Sequence, residues 1–119
     1  MKPGDIHWVE LPGGAGRAQA GRRPAIVLQD EAASDRLPMV LMVPLTTPLE
    51  ALRFPGTVLI EAEQQNGLRR ASVALVFQMT SIDQRFVETQ LGTISPDRLN
   101  GIWSALDELT GRGRPSDGV

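Results

Sequence analysis

The chain predicts a mainly β fold completed by one C-terminal helix, on two observations. Over the first three quarters, short apolar runs are separated by Gly and Pro, the pattern of a small barrel or sandwich rather than of alternating β and α units. In the last quarter the period changes, and Leu99, Ile102, Trp103, Leu106 and Leu109 recur at helical spacing. A length of 119 residues suffices for one domain with a real core, but not for a core plus a separate catalytic module. Residues 1–110 are expected to form that domain, with any site on its own surface or across an oligomer interface.

Strands are expected near residues 5–11, 24–29, 38–46, 56–62, 72–78 and 88–94. Between the first two lies Pro12 to Arg22, with four glycines. It has too little side chain to order itself, so it reads as a mobile loop of the kind that carries binding residues on a rigid scaffold. Asp30 to Leu37 is polar with room for one helical turn, and Asn66-Gly67 marks a tight turn. The terminal helix is announced by Ser95 as cap, Pro96 at the first helical position and Asp97 for the dipole. Gly111 ends it. Residues 111–119 have nothing to pack and are expected to be a disordered tail. No repeat and no linker divides the chain.

Composition narrows the function. Cysteine is absent, which removes disulfides, thiolate zinc sites and a cysteine nucleophile together and suits a reducing cytoplasm. No run approaches the roughly 18 apolar residues of a membrane span, and the first residues hold no signal core. The expectation is a soluble, cytoplasmic protein. A formal charge of −2 argues against a sequence-blind duplex binder, whose affinity needs many phosphate contacts. A small cationic site is still compatible. The basic residues are eleven Arg and one Lys, in part the bias of a GC-rich genome. Yet Arg17, Arg22, Arg23, Arg69 and Arg70 fall in or beside expected loops next to strand ends, as in a groove for a single strand.

Gly21-Arg22-Arg23-Pro24-Ala25-Ile26-Val27-Leu28 drives two guanidiniums into the start of an apolar strand. An Arg held between a Gly hinge and a Pro-stiffened strand fits a phosphate clamp, because its planar fork matches phosphate geometry. The alternative is two solvated residues at a strand entrance. The third strand ends in Pro44-Leu45-Thr46-Thr47-Pro48, placing hydroxyls where the strand must stop. A lone histidine, His7, excludes a two-histidine acid–base ribonuclease, and its alternation with Ile6 and Trp8 reads as structural. Asp30, Glu31 and Asp35 are the only short-range acidic set and sit in a solvated loop, so no metal and no cofactor is expected.

These blocks, with the opening Gly4-Asp5-Ile6-His7-Trp8-Val9-Glu10-Leu11, the loop Gln19 to Arg23, and Ser72-Val73-Ala74-Leu75-Val76-Phe77-Gln78, occur in an order that resembles the MazF/PemK toxin family from about Lys2 to Leu109. The resemblance implies an SH3-like barrel of the CcdB/PemK toxin type. It further implies the endoribonuclease toxin of a type II toxin–antitoxin pair, cleaving single-stranded mRNA by attack of the RNA's own 2′-hydroxyl. It carries catalysis to Arg23, on the scissile phosphate, and Thr46, donating to it, with Thr47 as backup. Asp5, Arg17, Gln19, Gly21, Arg22, Ser72 and Gln78 transfer as substrate-binding positions, each with a plain reading as a turn, loop or strand-edge residue. It implies a homodimer whose groove also takes a MazE-like antitoxin.

Two departures from the family leave the general base open. Phe77 stands where some members have an Asp, and Arg17 where they have a His. Asp5, an Arg acting with water, or water alone stay as candidates. Phe77 reads either as core or as a stacking platform for a base. Two rival functions are weighed against the nuclease: a gyrase-poisoning toxin of the same fold, opposed by the Arg-Pro and Thr-Thr blocks, and an SH3-like peptide-binding module. The latter would expose Tyr and Trp, whereas the chain has no Tyr and two Trp, the second, Trp103, committed to the helix.

Overall fold

Alternation of apolar residues along the strands builds one antiparallel sheet in a computed structural model that describes residues 1–11 and 21–114. The elements run β1 (Asp5–Leu11), β2 (Gly21–Val27), α1 (Glu31–Ser34), β3 (Met39–Thr46), β4 (Thr57–Ile60), β5 (Ser72–Leu75), β6 (Thr80–Asp83), β7 (Val87–Thr93) and α2 (Pro96–Thr110). The spatial order is β4-β5-β3-β2-β1-β7, with β6 also paired to β3. β3 thus serves two neighbours on one edge, β6 over Met39–Met42 and β5 over Leu45–Thr46.

The central strands are buried on both faces. Ile6, Ile26, Leu28, Val43 and Leu45 point into one cluster with Ile102 and Ala105 of α2. Val9, Leu11, Ala25, Val27, Val40 and Met42 point into a second, capped by Ile82 of β6. The helix matches its sequence signals: Ser95 accepts from the Arg98 amide, proline opens it, and Gly111 closes it in the left-handed region at φ 71°. α1 is the single turn expected, capped by Asp30.

The sheet is drawn toward closure on the β4 side without a strand pair. Thr93 of β7 donates its amide to the Gln65 carbonyl at 3.1 Å, and Gly92 permits the approach, since a Cβ there would meet the Gln65 carbonyl oxygen at 2.4 Å. Asn66 is buried in that turn and satisfied: its Oδ1 accepts from the Glu63 and Leu68 amides, and its Nδ2 donates to the Glu61 carbonyl.

Several boundaries differ from expectation. β2 begins at Gly21, so Arg22 and Arg23 lie inside a strand paired to β1 rather than at the edge of a loop. The strand expected over 72–78 stops at Leu75 and turns into a 3₁₀ helix, Val76–Gln78. β6 was not foreseen: only Ile82 of its four residues is buried, too weak a pattern to read. The strand expected over 56–62 is the four residues of β4. Trp103 is an exposed residue of α2, and Ile102 and Ala105 carry its buried face. In the expected tail, 111–113 form a turn, and 115–119, like the loop 12–20, lie outside the described residues. Among the described residues no helix is long and apolar enough to cross a membrane.

Candidate active site

Arg23 and Thr46 are brought opposite each other by strand register. β2 and β3 pair from Val27↔Met42 to Ala25↔Pro44; the same register carried two residues further sets Arg23 across from Thr46. Both continue the face that carries Ala25, Val27, Val40 and Met42 into the second cluster, so the pair sits at the open end of that core. Thr46 is in turn paired with Val73 of β5. A cavity of about 220 Å³ opens there, lined by Arg22, Arg23, Pro24, Leu45, Thr46, Thr47 and Ser72.

Arg23 is half-buried, and its Nε is buried with no hydrogen-bond partner among the described residues. Desolvation by burial pulls its pKa below the usual arginine value, while the group stays cationic at any physiological pH. A buried donor without an acceptor is costly.

Arg22 is held differently. Its guanidinium lies over the Trp8 ring, 4.2 Å from the centroid, and its Nε donates to Glu88 Oε1 at 2.8 Å. Sequence reasoning missed both partners, because Glu88 is 66 residues away and reaches Arg22 only through the β7-β1-β2 order. Thr47 is exposed at the cavity rim. Ser72 is buried and donates its hydroxyl to the Arg70 carbonyl at 3.2 Å, which leaves it as an acceptor. Gly21 has φ +99° with open space where a Cβ would stand, so its part is to admit a left-handed backbone before the arginines.

A second cavity, about 400 Å³, adjoins the first through Thr46 and is also lined by Pro48, Glu50, Ala51, Arg53, Phe54, Leu75, Phe77 and Gln78. Gln78 therefore shares a site with Thr46, but not the Arg23 cavity. Phe77 is 41% exposed, against the core reading, because the 3₁₀ turn after β5 breaks the alternation that would have turned it inward. Its ring meets Phe54 at 5.7 Å between centroids. The signal available in the sequence for Phe54 was an aromatic isolated between Pro48 and Pro55.

Asp5 is not brought to the site. It lies opposite Thr93 at the far end of β1, its Oδ2 accepting from the Lys2 amide at 2.9 Å. Val9, the β1 partner of Arg23, is four residues on, roughly 13 Å at about 3.3 Å per residue. His7 is likewise outside both cavities, its Nδ1 donating to the Glu88 carbonyl at 2.9 Å. Arg17 and Gln19 lie outside the described residues. Among the described residues no three His, Cys, Asp or Glu side chains converge on one point.

The sequence profile described as PemK-like, MazF-like toxin of type II toxin-antitoxin system matches residues 2–110. The chain is 34% identical over 109 residues to the endoribonuclease toxin MazF of Escherichia coli K12, covering 91% of this chain and 92% of that one. Its fold superposes on the crystal structure of MazF from Deinococcus radiodurans with a TM-score of 0.79 at 27% identity, covering 93% of this chain and 96% of the other. A MazE-MazF structure from the same organism gives 0.72 at 26% identity, with the same coverage.

Proposed function

Because the chain belongs to the PemK-like, MazF-like toxin family of type II toxin–antitoxin systems, we propose that it is an endoribonuclease toxin that cuts single-stranded RNA in a sequence-specific, metal-independent reaction. The single observation that carries the reading is the cationic Arg23, with a buried unpartnered Nε, set across a cavity from the Thr46 hydroxyl. The scissile phosphate occupies that cavity. The 2′-oxygen of the preceding ribose forms a bond to phosphorus as the bond to the 5′-oxygen breaks; the 2′-proton passes to a water, and water returns a proton to the departing 5′-oxygen. Products are a 2′,3′-cyclic phosphate and a 5′-hydroxyl. Arg23 offsets the charge that grows on the non-bridging oxygens, and Thr46 donates to one of them. Arg22, fixed on Trp8 by Glu88, binds a neighbouring phosphate.

The protein acts in the cytoplasm as a homodimer, two arginine-bearing faces making one groove that an acidic antitoxin segment also fills. Sedimentation of the free protein checks the dimer. The reaction is tested by incubating the protein with a long RNA in excess EDTA, mapping new 5′ ends and weighing the fragments. Cyclic phosphates at a recurrent sequence are expected. Fragments with 3′-hydroxyl and 5′-phosphate ends would refute attack by the 2′-oxygen, and intact RNA would refute the nuclease.

A further inference from the structure

The second cavity has the build of a nucleobase site rather than of a phosphate site. Its aromatic wall is exposed, with Phe54 at 43% and Phe77 at 41%, yet the backbone holds it in place. Phe77 donates its amide to the Gly56 carbonyl at 3.2 Å, and the Thr57 hydroxyl donates to the Phe54 carbonyl at 2.8 Å. The rings are tilted by 56° and Arg53 covers Phe54 at 4.5 Å, so Phe77 is the ring available to a base and Phe54 braces it. Stacking on such side chains is how unpaired bases are held. The polar groups add a choice of base. Glu50 lines the cavity and makes no ion pair among the described residues, so its carboxylate offers two acceptor oxygens and no donor.

Among the four bases, guanine alone presents two adjacent donors, N1–H and the 2-amino group, on its Watson–Crick edge. Adenine and cytosine set one amine beside a ring nitrogen acceptor, which a carboxylate repels, and uracil flanks one N–H with carbonyls. Resting on the nuclease reading above, we propose that this cavity binds an unpaired guanine one nucleotide from the scissile phosphate, with Phe77, braced by Phe54, stacking on it and Glu50 selecting it. Thr46, common to both cavities, sets the spacing.

The test uses 2′-O-methyl oligouridylates, which the proposed 2′-oxygen attack cannot cut, each carrying one guanosine, inosine, adenosine or cytidine. Inosine lacks only the 2-amino group. By fluorescence anisotropy, guanosine should bind about tenfold tighter than inosine, the scale of one bidentate base contact. Glu50→Gln should bring the two within about twofold. Phe77→Leu should weaken every oligonucleotide about tenfold and keep the guanosine preference. Equal binding of guanosine and inosine by the unaltered protein overturns the proposal. So does a Phe77→Leu protein that binds normally but sediments as a monomer, since the aromatic wall is then a subunit contact. Cuts mapped in EDTA with no guanine at a shared position overturn the subsite and leave the nuclease standing; guanosine discrimination without any cutting does the reverse.

Discussion

Arg23 should lower the stability of the fold in return for its place in the cavity, and Arg23→Met measures by how much. Methionine repeats the arginine stem as far as Nε, with its terminal methyl at that position. The substitution therefore retains apolar packing while removing a buried N–H that has no partner among the described residues. Such an orphan costs about 1–3 kcal/mol; counting the Nε alone, and allowing for some misfit of the thioether, the variant should be about 1 kcal/mol more stable than the parent. For a chain of this size that is a rise in Tm of roughly 4 °C. Urea denaturation gives the free energy directly, and cleavage of a reporter RNA should fall about a hundredfold or more. Phosphate or sulfate should raise the Tm of the parent and not of the variant, because the anion binds a guanidinium that the variant lacks. A variant less stable than the parent by 1 kcal/mol or more would show that Nε is satisfied and that the guanidinium is structural.

Two further substitutions separate chemistry from binding. Thr46→Val keeps shape and removes the hydroxyl facing Arg23, so single-turnover cleavage should slow by about ten- to a hundredfold with Thr46→Ser near normal; equal rates for both would remove Thr46 from the reaction. Glu88→Gln loosens Arg22 from its stack on Trp8, which should raise the RNA concentration needed several-fold and leave the rate at saturation unchanged. Since exposed ion pairs contribute less than about 1 kcal/mol, its urea midpoint should not move, and a large loss of stability would make the pair a structural clamp.

Residues whose partners are near in sequence were the legible ones. The helix was readable from Ser95 to Gly111 because its caps and apolar stripe are local, and α1 likewise. Arg23 and Thr46 stood out as motifs, but their juxtaposition depends on the β2–β3 register. The core reading of Phe77 fails for a definable reason: period-two reasoning assumes that the strand continues, and the 3₁₀ turn at Val76 rotates the side chain outward. Asp5 lies apart from Arg23 within the subunit because chain order shared with a family says nothing of the distance along a strand. Glu50, Arg53 and Glu88 carry no local signal at all; an acid or a base in a loop is ordinary until a topology puts it beside an aromatic ring.

Pro24 explains why the β2–β3 pairing stops at the cavity: Leu28 donates its amide to the Leu41 carbonyl, and the same alternation turns the backbone N of Pro24, which has no proton to give, toward β3 and that of Pro44 away from β2. The β2–β3 pairing ends at Ala25↔Pro44, one step before Pro24 and two before Arg23. Beyond that pair the assigned partners are β1 for β2, through Val9↔Arg23, and β5 for β3, through Thr46↔Val73. Arg23 and Thr46 therefore line one cavity from two strands that are each anchored from the far side. A cation and a hydroxyl carried on paired strands are held more rigidly than a loop would hold them. The Arg-Pro sequence thus acts as a unit: the proline ends the ladder with β3, and the arginine before it lines the cavity with Thr46.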